Sequence, residues 1–325
     1  MSHLLGFCED EGEVDSSLVE VANGISKGIL AFPATVFRED GQFDPDGMAR
    51  HVTALVAEKP AAIVPAGGAG EIFSVDPDEY ETLTEITVAH AAGVPVIAGV
   101  GHGLATARRM AKAAEKLGAQ ALLLFPPYLT TADQAGLARY IGAICDSVGI
   151  GVIAYSRNNG ILDADTALRL AESHSNFLGV KDGVGDFETI LKLKLEGGDR
   201  FTLINGVPTA EILAAQCFAV GVNSYSSAVF TFLPAVAKRF YTAVRDGEKD
   251  VADRLMREFY LPLVAIRNRR RGYAVSIIKA GLRAVGRSAG PVREPLLDLT
   301  SEEMTQLEAL IDAGSRIVAE APVPA

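Results

Sequence analysis

Cysteine is scarce in this chain. The three present, Cys8, Cys145 and Cys217, are spaced too widely for a disulfide framework or a zinc motif. Long apolar runs are missing, and none reaches the roughly 18 residues that a membrane-spanning helix requires. Basic residues are outnumbered, with 30 Lys and Arg against 41 Asp and Glu and a net charge of −11. A nucleic-acid-binding surface must neutralise phosphates with a basic face, so this balance argues against that class. The opening MSHLLGFCEDEGEVD has neither the basic start nor the apolar core of a secretory signal. Repeats of solenoid type are absent. These absences predict a soluble protein of a reducing cytoplasm, with no membrane and no nucleic acid among its partners.

What is present is ordinary globular composition: 325 residues, 49% hydrophobic and 22% charged. That length admits one domain of about 250 residues plus an extension, or two of roughly 150. Charge is unevenly placed. Residues 1–25 hold Glu9, Asp10, Glu11, Glu13, Asp15 and Glu20 and no Lys or Arg, so the segment carries −6 of the total. It reads as an acidic, solvated extension, or as an arm on a neighbouring subunit.

A rhythm starts at residue 28. Strand-length apolar runs occur at 28–34, 61–66, 94–100, 121–125, 149–155, 177–182, 201–206 and 219–225. Most lack polar alternation, as expected of parallel strands buried on both faces. Between them lie amphipathic stretches, such as Leu104, Ala107, Ala111, Ala114 and Leu117, or Val229, Leu233, Val236, Phe240 and Val244. Asp44-Pro45 and Asp76-Pro77 have the form of an N-cap followed by Pro at the first helical position. Eight strands with crossover helices predict an α/β fold, a (β/α)₈ TIM barrel over 26–246. Residues 247–325 read as a C-terminal helical extension, with helices near 248–266, 273–285 and 301–319.

Chemistry in such a barrel sits at the C-terminal ends of the strands. There Lys181 follows Phe177-Leu178-Gly179-Val180. Burial lowers a lysine's pKa, and a neutral amine can attack a carbonyl to form a Schiff base. Equally, its ammonium could pair with Asp182 or reach solvent. Tyr155 ends the adjacent strand, where a phenol can relay protons or sit as a core residue. Gly67-Gly68-Ala69-Gly70-Glu71 follows strand 2. Its small residues would let backbone N–H groups approach an anion, or simply make a tight turn.

As a set, these motifs resemble the family of dihydrodipicolinate synthase and N-acetylneuraminate lyase. The family's Gly-Thr-Thr-Gly-Glu pattern is matched by Gly67–Glu71, its strand-5 tyrosine by Tyr155, and its Schiff-base lysine by Lys181. The resemblance runs over roughly 28–315. It departs at Gly68 and Ala69, which replace two threonines. It departs also at Tyr155-Ser156-Arg157-Asn158-Asn159, where Tyr-Asn-x-Pro is usual, and at Pro127-Tyr128, where the synthases have two tyrosines. The segments 205–211, 224–229 and 269–276 are similar to the branch acting on sugar diacids, the 5-dehydro-4-deoxyglucarate dehydratases.

The resemblance implies a decarboxylating dehydratase in which Lys181 forms the imine and Tyr155 shuttles protons. It implies no metal, no cofactor, and a homo-oligomer, a tetramer being favoured. A diacid substrate needs two anion sites. The backbone of Gly68, Ala69 and Gly70 is expected to bind the keto-acid end. Arg157 is expected to hold the far carboxylate, with Asn205 and Ser226 touching substrate hydroxyls. Two rivals use the same features: a retro-aldol lyase yielding pyruvate, and a non-catalytic binding barrel. His102 reads as a turn residue. Arg267, Arg269, Arg270 and Arg271 read as a pairing cluster within or between subunits. Tyr128 is a candidate to reach a neighbouring active site.

Overall fold

Short strands, most of them apolar, stand side by side in a computed structural model that describes residues 16–198 and 201–321. They are β1 (Lys27–Ala31), β2 (Ala62–Ile63), β3 (Ile97–Val100), β4 (Ala121–Leu124), β5 (Gly151–Ser156), β6 (Phe177–Asp182), β7 (Thr202–Asn205) and β8 (Asn223–Ser227). All pairings are parallel, in the order β2-β1-β8-β7-β6-β5-β4-β3. A parallel bridge from Ile63 to Val96 joins the two outer strands and closes the barrel. Every residue of β3 to β7 is buried, which explains the missing alternation. Register sets the rim: Tyr155 lies opposite Lys181, and Lys181 opposite Ile204. Gly179, at φ 151°, permits this pairing, since a Cβ there would stand 2.0 Å from the Thr202 carbonyl oxygen.

The barrel interior is filled by Leu30, Ala62, Ile97, Ala121, Ile153, Leu178 and Ile204. Leu18, Ala22 and Ile25 join this cluster from α1 (Ser16–Ile25). Residues 16–25 are therefore not solvated extension, as the acidity of the whole segment 1–25 suggested, but a helix with one face packed into the barrel. The rest of the acidic segment, 1–15, lies outside the described residues.

The crossover helices are α2 (Pro45–Val56), α3 (Pro77–His90), α4 (Leu104–Leu117), α5 (Gln134–Cys145), α6 (Ala164–Ser173), α7 (Phe187–Gly197) and α8 (Ala214–Ala219). Asp44 and Asp76 cap α2 and α3 as read from the sequence, and Asp76 forms a reciprocal capping box with Glu79. The run from Val229 to Val244 is two helices, α9 (Ala228–Phe232) and α10 (Pro234–Arg245). Pro234 has no N–H to continue α9, but suits the first turn of α10.

The expected helix at 248–266 is α11 (Lys249–Leu255), a π-helical stretch (Met256–Tyr260) and α12 (Leu261–Arg267). Then come α13 (Tyr273–Ala284) and α14 (Ser301–Glu320), close to expectation. α13 packs on α9, and α14 packs on α10 and α13. Gly281 makes the first contact possible, because a Cβ there would meet the Phe232 ring at 2.5 Å. Among the described residues no helix is long and apolar enough to cross a membrane.

Candidate active site

A cavity of about 300 Å³ opens at the C-terminal rim of the barrel. Lys181 reaches it from inside β6 and is 4% exposed. Its Nζ donates to the Gly206 carbonyl at 3.2 Å and lies 3.7 Å from the centre of the Tyr155 ring. The Asp182 carboxylate is used elsewhere, accepting from Val184 N–H and Gly185 N–H at 3.2 and 2.8 Å. Among the described residues Lys181 makes no ion pair. Burial pushes its pKa below the ordinary lysine value, against the opposing pull of Tyr155 and Asp182.

Tyr155 donates its hydroxyl to the same Gly206 carbonyl, at 3.1 Å. Arg157 Nη1 donates to the Tyr155 oxygen at 2.9 Å. Burial by itself would raise the phenol's pKa. The Lys181 and Arg157 charges and the Arg157 hydrogen bond outweigh it, and the pKa falls below the usual tyrosine value. The site thus holds an amine with eased deprotonation beside a phenol with eased ionisation. One carbonyl keeps their heads together.

The loop after β2 forms the opposite wall. Gly68 and Ala69 line the cavity. Among the described residues, the N–H groups of Gly68, Ala69 and Gly70 have no protein acceptor. Gly70 sits behind them, its carbonyl accepting from Thr35 Oγ1 at 2.6 Å. Glu71, at the loop's end, is fully buried and paired at 2.8 Å with equally buried Lys279 of α13. That ion pair ties the loop to the C-terminal helices.

Ser226 lines the cavity and is half-buried. Asn205 does not line it. Its side-chain amide donates to Ala210 O at 2.9 Å and accepts from Val207 N–H at 3.4 Å. Both ends of the Asn205 amide are thus engaged in shaping the β7 loop. Tyr128 is also outside the cavity, 62% exposed and stacked edge-on against His102. Among the described residues no cluster of His, Cys, Asp or Glu could hold a metal ion.

The arginine cluster divides. Arg269 pairs with Glu303 at 3.7 Å, and Arg270 lies over the Tyr273 ring. Arg267 instead lines the cavity, with Nη1 on Thr209 Oγ1. Burial and the charge of Arg157 push its pKa below the ordinary arginine value. Among the described residues, the cavity is lined by Lys181, Arg157 and Arg267 and by no Asp or Glu. On a chain of net charge −11 this is a local reversal of sign.

Residues 25–314 match the sequence profile of the dihydrodipicolinate synthetase family. The chain belongs to that family. A protein of Rhizobium rhizogenes, named "Probable 5-dehydro-4-deoxyglucarate dehydratase", is 47% identical over 294 residues, covering 90% of this chain and 97% of that one. A protein of the same name from Bradyrhizobium diazoefficiens is 48% identical over 293 residues, covering 90% and 93%. Dihydrodipicolinate synthase from Oceanobacillus iheyensis shares the fold, with a TM-score of 0.84 at 23% identity over 92% of this chain and 99% of that one.

In this member of the dihydrodipicolinate synthetase family, sequence reasoning missed Gly206, Thr209 and Arg267. Gly206 had a signal, since it follows a strand end directly. A Cβ there would lie 2.5 Å from both Cγ and Nζ of Lys181, so only glycine lets the lysine lie against the β7 loop. Thr209 takes a left-handed conformation, φ 55° and ψ 69°, unusual for a β-branched residue and marked by no local motif. Arg267 had no signal beyond its basic neighbours.

Proposed function

We propose that the protein is a decarboxylating 5-dehydro-4-deoxyglucarate dehydratase, the activity named for its relatives. One observation carries the reading. A buried lysine sits against a tyrosine in a cavity that, among the described residues, has two further cationic side chains and no carboxylate. Such a lining suits a substrate with a ketone and two carboxylates.

Lys181, neutral for more of the time than an exposed lysine, adds to the keto carbon and expels water as the imine forms. The iminium acidifies the adjacent CH₂. Tyr155, ionised more readily beside Lys181 and Arg157, takes that proton. Loss of the next hydroxyl as water leaves a double bond conjugated to the iminium. The electron pair of the far C–C bond then flows into this conjugated system, and the far carboxylate departs as CO₂. The remaining enol becomes an aldehyde, and hydrolysis frees Lys181 and 2,5-dioxopentanoate. The imine is the electron sink, so the reaction calls on no metal or other cofactor.

The free N–H groups of Gly68 and Ala69 receive the carboxylate beside the ketone, with Gly70 behind them. Ser226 lies within the cavity for a substrate hydroxyl. The barrel, read as 26–246, carries these groups, and Leu263, Arg267, Ala274 and Ile278 of the C-terminal extension line the cavity beside them. We read the protein as a cytoplasmic homotetramer, whose mass light scattering would measure. The deciding experiment supplies the diacid and follows products by mass. CO₂ and a five-carbon aldehyde acid are expected; pyruvate with a three-carbon fragment would replace this reading by a retro-aldol lyase.

A further inference from the structure

The cavity holds two guanidinium groups, and their surroundings differ. Arg157 follows β5 in extended conformation, φ −162° and ψ 154°. Its Nη1 rests on the Tyr155 hydroxyl at 2.9 Å, and its Cζ lies 6.0 Å from the centre of that ring. Arg267 is the last residue of α12, an element contributed by the C-terminal helices. Its Nε and Nη2 donate to Asn268 Oδ1 at 3.1 and 3.0 Å, and its Nη1 donates to Thr209 Oγ1. All three hydrogen bonds go to neutral groups. Among the described residues Arg267 makes no ion pair. Glu211, two residues beyond Thr209, is the nearest opposing charge: its Oε1 accepts from Ser227, and its carboxylate partly offsets the fall in the Arg267 pKa. Burial raises its pKa to about 7, so near neutrality it is only partly ionised and neutralises Arg267 incompletely.

We propose that Arg267, braced by Thr209 and Asn268, binds the substrate's far carboxylate, and that Arg157 acts instead as a positioning residue for the Tyr155 phenol. The inference rests on the dehydratase reading above and divides a task that sequence reasoning assigned to Arg157 alone. A guanidinium has five N–H groups. Three of those on Arg267 are engaged, which leaves one each on Nη1 and Nη2. Two free donors on adjacent nitrogens match the two oxygens of a carboxylate. The brace is built at a cost, since Thr209 is held in the left-handed region that β-branched residues avoid. That strained turn puts its hydroxyl on Arg267 and its own surface on the cavity. Arg267 is half-buried and repelled by Arg157, so an arriving anion relieves an unfavourable charge on the wall. Arg157 spends a donor on Tyr155, stabilising the phenolate that takes the substrate proton.

The test uses two six-carbon 2-oxo acids, 2-oxoadipate and 2-oxohexanoate. They differ in the terminal carboxylate, and neither has a hydroxyl to eliminate. Borohydride trapping of the imine at graded ligand concentration gives the affinity for each. Arg267→Ala is expected to weaken 2-oxoadipate by about 10- to 150-fold, the usual worth of hydrogen bonds to a charged group. The 2-oxohexanoate affinity should hold within about twofold, and so reports that the variant is folded and its lysine active. Arg267→Lys should restore part of the diacid affinity, a point charge replacing a fork. Arg157→Lys should leave discrimination between the two acids in place, and should move the pH profile of kcat on the true substrate to higher pH. Equal weakening of both acids by Arg267→Ala overturns the proposal, and so does loss of discrimination in the Arg157 variant. If wild-type protein releases no CO₂ from the hydroxylated diacid, the dehydratase reading fails separately, and the binding comparison still stands.

Discussion

Glu71 and Lys279 form an ion pair at 2.8 Å with neither side chain exposed to solvent. At an effective dielectric of about 20, that separation corresponds to an attraction of about 6 kcal/mol. Desolvation of both ions offsets much of it, so the pair as a whole adds little. Removing one member is different, because the other charge stays buried. Glu71→Gln is therefore expected to cost about 3–5 kcal/mol in urea unfolding, and Lys279→Met a similar amount. The other contacts limit the damage. The amide introduced by Glu71→Gln would still present an oxygen to the Arg293 N–H, held at 3.0 Å, and Lys279 would keep the Pro291 carbonyl at 2.7 Å. The double variant should lose well under the sum, since no buried charge is left unpaired. pH supplies a second check. Burial holds the Lys279 pKa below 10.5, and Glu71 opposes that shift. Without Glu71 the folded-state pKa falls further. Stability then rises with pH over the interval between that pKa and 10.5, where the unfolded chain binds more protons. The Glu71→Gln penalty should accordingly be smaller at about pH 9 than at neutrality. Additive single losses, or a penalty independent of pH, would refute the argument. Because Glu71 ends the Gly68–Gly70 loop, the same variant should also raise KM.

Borohydride reduction with a 2-oxo acid should add the ligand's mass to the peptide containing Lys181, and Lys181→Arg should lose nearly all turnover. Label on another lysine would displace it as the imine residue. Tyr155→Phe should lower kcat by about 10²–10⁴ with little change in substrate affinity, the usual scale for an acid–base group. An unchanged kcat would remove the phenol from the proton relay. His51 is buried, and its pKa is lowered to about 3 by burial and by the nearby charges of Arg287 and Lys279. It is neutral in the fold, so its contribution is complete above about pH 6.5 and is lost as pH falls toward 3, at about 1.4 kcal/mol per unit. His51→Gln should flatten that part of the pH–stability curve, measured by urea unfolding at about pH 7 and about pH 4.5. Parallel curves for variant and wild type would contradict this.

The barrel was legible in the chain alone. Strands buried on both faces leave unbroken apolar runs, and that signal is local. Strand ends in a parallel barrel share one rim, so Lys181 and Tyr155 could be put side by side from their positions alone, and their register agrees. The Asp-Pro starts of α2 and α3 were equally readable, because an N-cap acts within one turn. Residues 16–25 carried a usable sign that the acidic run at 9–15 obscured: Leu18, Ala22 and Ile25 recur at helical spacing and pack into the barrel. Other features depend on packing between distant segments. Nothing near Asn205 says that its amide closes its own loop, and nothing near Arg267 separates it from three neighbouring arginines. Where α12 comes to rest decides that Arg267 faces the cavity while Arg269 turns to Glu303. A local pattern tells which face of an element is buried. Which charge shares the cavity with Lys181 is settled only when the C-terminal helices seat on the barrel, because a guanidinium's partners are set by tertiary distance and not by its neighbours in the chain.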